Sequence, residues 1–231
     1  MTQTDPSIET RLLDAILLHV PFDGWSEAAF AAAVRDTGVD PAVARAACPR
    51  GAIGLAIAFH RRGDAAMVAR LAEADLSGLR FRDRVATALW FRVEAMEDRE
   101  AVRRATALFA LPTNAPEGAR LVWETADHVW TALGDTSRDV NWYTKRATLS
   151  AVWGSVVLFW LGDDSPGFSE TRAFIDRRID DVMQIEKAKA KFRESPLTRP
   201  FAKMQESVFG RFRAPDLDHL ADLPGHFTNP K

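Results

Sequence analysis

Cysteine is almost missing: the 231-residue chain holds one, Cys48, so no intramolecular disulfide can form, and no Cys/His cluster has the spacing of a zinc site. Lysine is scarce beside arginine, and a formal net charge of -2 excludes a global pull on phosphate backbones, so an anionic partner must be met by a local basic patch. Also missing are a G-x-S-x-G elbow, a phosphate loop, a dinucleotide fingerprint, a Glu-x-x-His iron motif and a His-Glu-x-x-His zinc motif. Glu124 and His128, one turn apart, read as an ordinary wet helix face. No catalytic residue, metal or cofactor is therefore assigned, and a non-enzymatic protein is expected. Residues Met1 to Arg11 carry acids and no basic-then-apolar pattern, so neither a secretory signal nor an Arg-rich presequence is read, and a cytoplasmic bacterial protein is expected.

What is present is helical periodicity nearly throughout, in a chain that is 47% hydrophobic and long enough for one sizeable core. Ser7 caps a stripe of Ile8, Leu12, Leu13, Ile16, Leu17 and Val20 that Pro21 stops. Ser26 opens a second helix that Gly38 ends, and Asp40-Pro41 opens a short third that breaks near Pro49. Longer helices are predicted over 52–74, 82–97, 100–110, 116–133, 143–162 and 169–192. The organisation is one all-α domain over 1–193 with a helix-turn-helix-like head at 7–50, then a linker, a basic amphipathic helix and a tail over 194–231. Three short helices with tight turns resemble the head of TetR-type regulators. Between Asp40 and Arg50 only Arg45 could read a base edge, so a structural relic is expected rather than a DNA reader. A ligand-responsive TetR-type transcription regulator is the alternative class.

One block stands out. Between Gly134 and Pro166 a polar loop carries two adjacent aromatics, Trp142 and Tyr143, and feeds an apolar helix that ends at a second acidic loop. The acids and arginine around the pair demand water, which predicts an exposed aromatic patch, with one ring turned inward and the other outward. A hydrophobic staple at the helix start fits the same two residues. The longest uncharged run of the block, Ala147 to Gly162, is 16 residues, short of the roughly 20 needed to span a bilayer, and reads as a buried helix.

Asp135, Ser137, Asp139, Asn141 to Ala147, then Asp163, Ser165, Pro166 and Phe168 resemble the Coq9 family of ubiquinone-biosynthesis proteins. The likeness continues through Thr171 to Phe174, Arg178, Asp180 and Met183, and more weakly back to Val20-Pro21 and Gly24-Trp25. The resemblance implies a TetR-like helical bundle that binds polyprenylated quinone intermediates in its interior and presents them to a membrane-associated Coq7-type hydroxylase. It maps Asp127, Trp142, Tyr143 and Arg146 onto the surface for that partner, with Val129 where the family often carries a larger apolar residue. A homodimer through the last two long helices is also implied, with Phe159, Trp160, Phe174 and Ile179 as contributors.

Trp123 and Trp130 lie seven apart on one helix, and Trp153 and Trp160 repeat that spacing on the next, with Leu149, Val152, Val156, Val157, Leu158 and Phe159 beside them. Core packing and a cavity wall both fit that pattern. The resemblance favours a lipid site lined by Trp123, Trp130, Leu149, Val152, Trp153, Val156, Phe159 and Trp160. Beyond the linker, Phe201, Met204, Val208, Phe209 and Phe212 recur at helical spacing among Arg199, Lys203, Arg211 and Arg213. That pattern suits an anionic membrane surface, with the apolar face in the acyl boundary, and hence a peripheral position on the inner membrane. A helix folded back onto the bundle is the competing reading.

Overall fold

The computed structural model describes residues 6–138 and 140–194, with side chains described through residue 184. Among these residues there are ten α-helices and no strand. The proposed membrane contacts, Arg199 to Arg213, lie outside the described residues, as does Asp139.

The head consists of α1 (Ile8–Ile16), α2 (Val20–Asp23), α3 (Glu27–Thr37) and α4 (Pro41–Ala47). Side-chain oxygens start three of them: Ser7 accepts from the Thr10 amide, Ser26 from Ala29, and Asp40 from both Ala42 and Val43. The first helix ends a turn earlier than its apolar stripe predicts. Pro21 does not terminate it but sits in the first turn of α2, where a missing N–H costs nothing and φ is already helical. Leu12, Ile16, Val20, Trp25, Phe30 and Ala44 pack with Leu55 into the head's core. Trp25 donates to the Ala101 carbonyl at 3.1 Å, tying the head to the body.

The body consists of α5 (Gly51–Glu73), α6 (Phe81–Glu94), α7 (Arg99–Ala110), α8 (Ala115–Ala132), α9 (Val140–Trp160) and α10 (Ser169–Glu194). Helix α5 is the shared spine, since Leu55 and Ala56 belong to the head's core while Met67 and Leu71 belong to the body's. Helix α8 packs on α5, α7 and α9, whereas α7 and α9 make at most marginal contact. That divergence leaves a cleft between them. Gly118 lets α7 and α8 close up, because a Cβ there would stand 2.8 Å from Phe109 Cβ.

The acidic loop after α9 is a capping device. The Asp163 carboxylate accepts from the amides of Ser165 and Thr171 and from the Thr171 hydroxyl, and Ser165 Oγ accepts from the Glu170 amide at 3.0 Å. Burial acts to raise the Asp163 pKa, but these hydrogen bonds overcome it and hold the carboxyl down at about 2. The Asp-x-Ser-Pro part of the motif thus fixes the start of α10.

No single helix among the described residues is long and apolar enough to cross a membrane. A bent pair, α4 with α5, passes by length and composition alone, yet its Ala44, Ala52 and Leu55 are core residues of the head.

Candidate functional site

Two neighbouring features use the α8–α9 region. The first is the loop that enters α9. Gly134, at φ +78°, turns the chain out of α8 in a conformation that favours glycine. The Asp135 carboxylate then gathers the loop, accepting from Ser137 Oγ at 2.8 Å, Lys145 Nζ at 2.8 Å and Arg146 Nη1 at 3.1 Å. Burial opposes its charge, but these hydrogen bonds prevail, and its pKa falls to about 2. Arg146 also donates through Nε to Asp127 at 2.6 Å and lies under the Trp142 ring at 4.0 Å.

Trp142 therefore rests on a charged, hydrogen-bonded base. Trp123 covers one flank at 5.9 Å between ring centroids, and Tyr143 meets it edge-on at 4.8 Å. Both aromatics of the pair are half-buried rather than open, and they share one ridge instead of pointing in opposite directions. Adjacent helical positions diverge at Cβ, but rings of this size converge again at their ends. Arg146 needs a larger correction: its side chain is 3% exposed, so it supports the ridge from inside and is not itself a contact surface. Asp127 remains 41% exposed, while Val129 is fully buried in the body core and cannot meet a partner.

The second feature is a cavity of about 390 Å³ between α5, α6, α7, α8 and α9. Its wall is mainly apolar, with Phe59, Met96, Val102, Phe109, Val122 and Val157 among its residues. Leu158, 64% exposed, stands at the mouth where α7 and α9 diverge. Of the eight lipid contacts that the resemblance favours, Trp153 alone lines this space. Leu149, Val152, Val156 and Trp160 are packed into the body core and do not line the cavity. Trp123 belongs to the aromatic ridge. Trp130 stacks on Phe81 at 5.6 Å and donates to the Lys145 carbonyl at 3.2 Å. Phe159 stacks on Phe174 at 4.3 Å, between α9 and α10. In the expected dimer set, Trp160 and Ile179 are buried, so Phe159 and Phe174 are the two that reach the surface.

Sequence reasoning missed the cavity's polar end. Arg92, 3% exposed, donates through Nε to Asp64 at 2.6 Å and through Nη2 to the His60 carbonyl at 3.0 Å. Thr125 donates to the same Asp64 oxygen at 2.9 Å. Around the other oxygen stand the imidazoles of His60 and His128, at 3.5 and 3.6 Å. Burial pushes the Asp64 carboxyl up, but the His128 hydrogen bond and the Arg92 charge leave it below the ordinary carboxylate value. Burial pushes His60 down to about 4, whereas the hydrogen bond to Asp64 raises His128. The available signal was a charge inside an apolar stripe: Arg92 interrupts Leu89, Val93 and Met96, and Asp64 sits one turn before Met67.

A broader polar groove of about 520 Å³ lies between the head and the α5–α8 face. Its arginines Arg50, Arg61, Arg62 and Arg120 are all taken up by carboxylates. Among the described residues no group of three metal-ligating side chains is present.

Residues 115–186, which contain α8, the Asp135 loop, α9 and the Asp163 cap, match the COQ9 family model. That stretch is similar to the COQ9 family over 72 of the chain's 231 residues. Ubiquinone biosynthesis protein COQ9, mitochondrial, of Drosophila melanogaster is 31% identical over 188 residues, covering 78% of this chain and 56% of that protein. The Homo sapiens protein of the same name is 29% identical over 194 residues, 79% of this chain and 60% of its own length. The probable COQ9 of Dictyostelium discoideum is 29% identical over 199 residues, 81% of this chain and 64% of its own. The chain thus spans less than two thirds of the length of these curated relatives. Among solved structures, a TetR transcriptional regulator from Nitrosomonas europaea aligns with a TM-score of 0.63 at 17% identity, over 75% of this chain and 96% of that one. The all-α, TetR-like fold expected from the sequence is the observed one.

Proposed function

We propose that this chain is a non-enzymatic lipid-binding accessory protein of ubiquinone biosynthesis. It holds a polyprenylated quinone intermediate and presents it to a membrane-associated Coq7-type hydroxylase. The observation that carries the reading is the apolar cavity with a surface mouth in a bundle whose α8–α10 region matches the COQ9 family. A prenyl tail prefers the bilayer by about 0.8 kcal/mol per buried CH₂, so a protein that offers a matching apolar path lowers the cost of bringing it to a soluble active site. The relatives' names support the pathway, and the Trp142 ridge supplies a rigid aromatic anchor of the kind that dominates protein interfaces. The basic amphipathic segment from Arg199 to Arg213 is the proposed membrane contact, and a homodimer through the last two helices is the proposed assembly.

Organic extraction of protein purified without detergent, followed by mass spectrometry, tests the reading. Recovery of isoprenoid quinone intermediates is expected, and recovery of no isoprenoid from a membrane-equilibrated preparation overturns it. Trp142→Ala should abolish co-purification with the hydroxylase while lipid content and helicity stay unchanged. Lys203, Arg211 and Arg213 changed together to Glu should weaken liposome binding most on anionic vesicles, and equal loss on neutral vesicles would remove charge attraction from the account. The regulator alternative requires duplex DNA binding with a steep salt dependence. Against it, Arg45 in the would-be recognition helix is held by Glu27 at 2.5 Å.

A further inference from the structure

The cavity wall carries three polar side chains, Arg92, His60 and Thr106. Arg92 spends Nε on Asp64 and Nη2 on the His60 carbonyl, which leaves Nη1 with no acceptor among the described residues. Gly63 is the reason this nitrogen can sit where it does, since a Cβ at that position would collide with the guanidinium. Arg92 also lies over the Trp153 ring at 5.3 Å, and the buried Trp153 indole N–H has no acceptor either. The other polar side chains of the wall are committed: His60 Nε2 to Thr125 at 2.9 Å, and the Thr106 hydroxyl to the Val102 carbonyl at 2.9 Å. One uncommitted hydrogen-bond donor, Arg92 Nη1, therefore belongs to a largely apolar wall, where a ligand acceptor would pair it.

A cavity of about 390 Å³ falls in the range that takes a small organic ligand, so a ring with part of its chain can enter. Of the lining residues, Leu158 is 64% exposed and marks the mouth, whereas Arg92 is 3% exposed and lies within.

We infer that the cavity takes its ligand ring-first: an aromatic or quinonoid ring bearing a carbonyl or ring-oxygen acceptor docks on Arg92 Nη1, and the prenyl tail leaves past Leu158 between α7 and α9. This rests on the lipid-carrier reading and adds the direction and the recognition element. Arg92 selects by hydrogen bonding, and Asp64 and Gly63 are positioning residues that aim its free nitrogen. The part of the tail beyond the mouth stays in the bilayer while the ring is held dry.

The test compares heptanophenone with octylbenzene, probes of equal heavy-atom count that differ in one acceptor oxygen, by titration against the whole chain. The infrared carbonyl stretch of the bound ketone is recorded as well. The ketone should bind on the order of tenfold tighter than the hydrocarbon, the low end for a hydrogen bond to a charged group, and its carbonyl stretch should fall below that in dry hydrocarbon. Asp64→Asn with Arg92→Met removes both charges together, so no buried charge is stranded, and should erase the preference and the infrared shift while octylbenzene binds unchanged. Gly63→Ala, which keeps every charge and displaces the guanidinium, should do the same if the double variant does not fold. Equal binding of both probes with an unshifted carbonyl overturns the ring-first inference and leaves the carrier reading standing. Binding of neither probe sinks both.

Discussion

The head and the body of this molecule are packed by opposite rules. In the head, Leu12, Ile16, Val20 and Leu55 are wholly buried among alanines and aromatics, and among the described residues no charged side chain is buried there. The body buries Asp64, Arg92, Arg146 and Asp163, and it keeps a cavity beside two of them. A core of apolar side chains tolerates no loose donor, so the head is a finished scaffold. Buried charges cost stability unless each is hydrogen-bonded; Asp163 is held as the cap of α10 and Arg146 as the base of the aromatic ridge, whereas the Asp64–Arg92 pair stands at the cavity. The matched COQ9 region, 115–186, lies entirely on the body side of that divide.

The contrast can be broken most severely at Asp64. Asp64→Ala strands the Arg92 guanidinium, 3% exposed, and should cost ~3–5 kcal/mol in urea unfolding, whereas Asp64→Asn with Arg92→Met should cost much less. Leu12→Ala in the head should cost ~3 kcal/mol by leaving a hole in a filled core, with probe binding in the body unchanged. If binding fell with stability there, the two halves would not be energetically separate.

The groups that acid reaches, His60, His128 and Asp135, belong to the body. His60 titrates at about 4 in the fold and at an ordinary value when unfolded, so the stability it lends is present above pH ~6.5 and is lost as pH falls toward 4, about 3 kcal/mol at most. A raised His128 runs the other way, contributing below pH ~6.5 and losing that contribution as pH rises through its folded value. A His60→Gln variant should therefore show a flatter stability curve between pH 6.5 and 4 than the parent. Below that window the Asp135 carboxyl takes over, its contribution fading from pH ~4 to about 2, and loss of the Trp142 fluorescence environment should report it. The smallest effect is expected at the head's surface: Arg62→Ala, which breaks an exposed pair with Asp14, should change stability by less than ~1 kcal/mol.

Local signals carried the helices. Ser7, Ser26 and Asp40 all cap where they were read, and Gly38 closes α3 in the left-handed conformation, because a cap needs only its own neighbours. The motif from Asp135 to Arg146 was legible as a unit, but its roles were not. Asp135, Lys145 and Arg146 turn out to build the base on which Trp142 and Tyr143 stand. The tryptophan repeat misled for a related reason. A seven-residue spacing places Trp153 and Trp160 on the same side of α9, yet a helix of 21 residues passes different neighbours along its length. Trp153 meets the cavity and Trp160 meets Phe168.

The order and type of the elements, their caps, the scarcity of thiols and the COQ9 likeness were written in the chain itself, since each depends on residues close together or on a motif read in line. Which charges are buried, where the cavity lies and which tryptophan faces it depend on side chains from α5, α6, α7, α8 and α9 meeting at one point. Burial is a property of the surroundings, and surroundings exist only once the helices have packed.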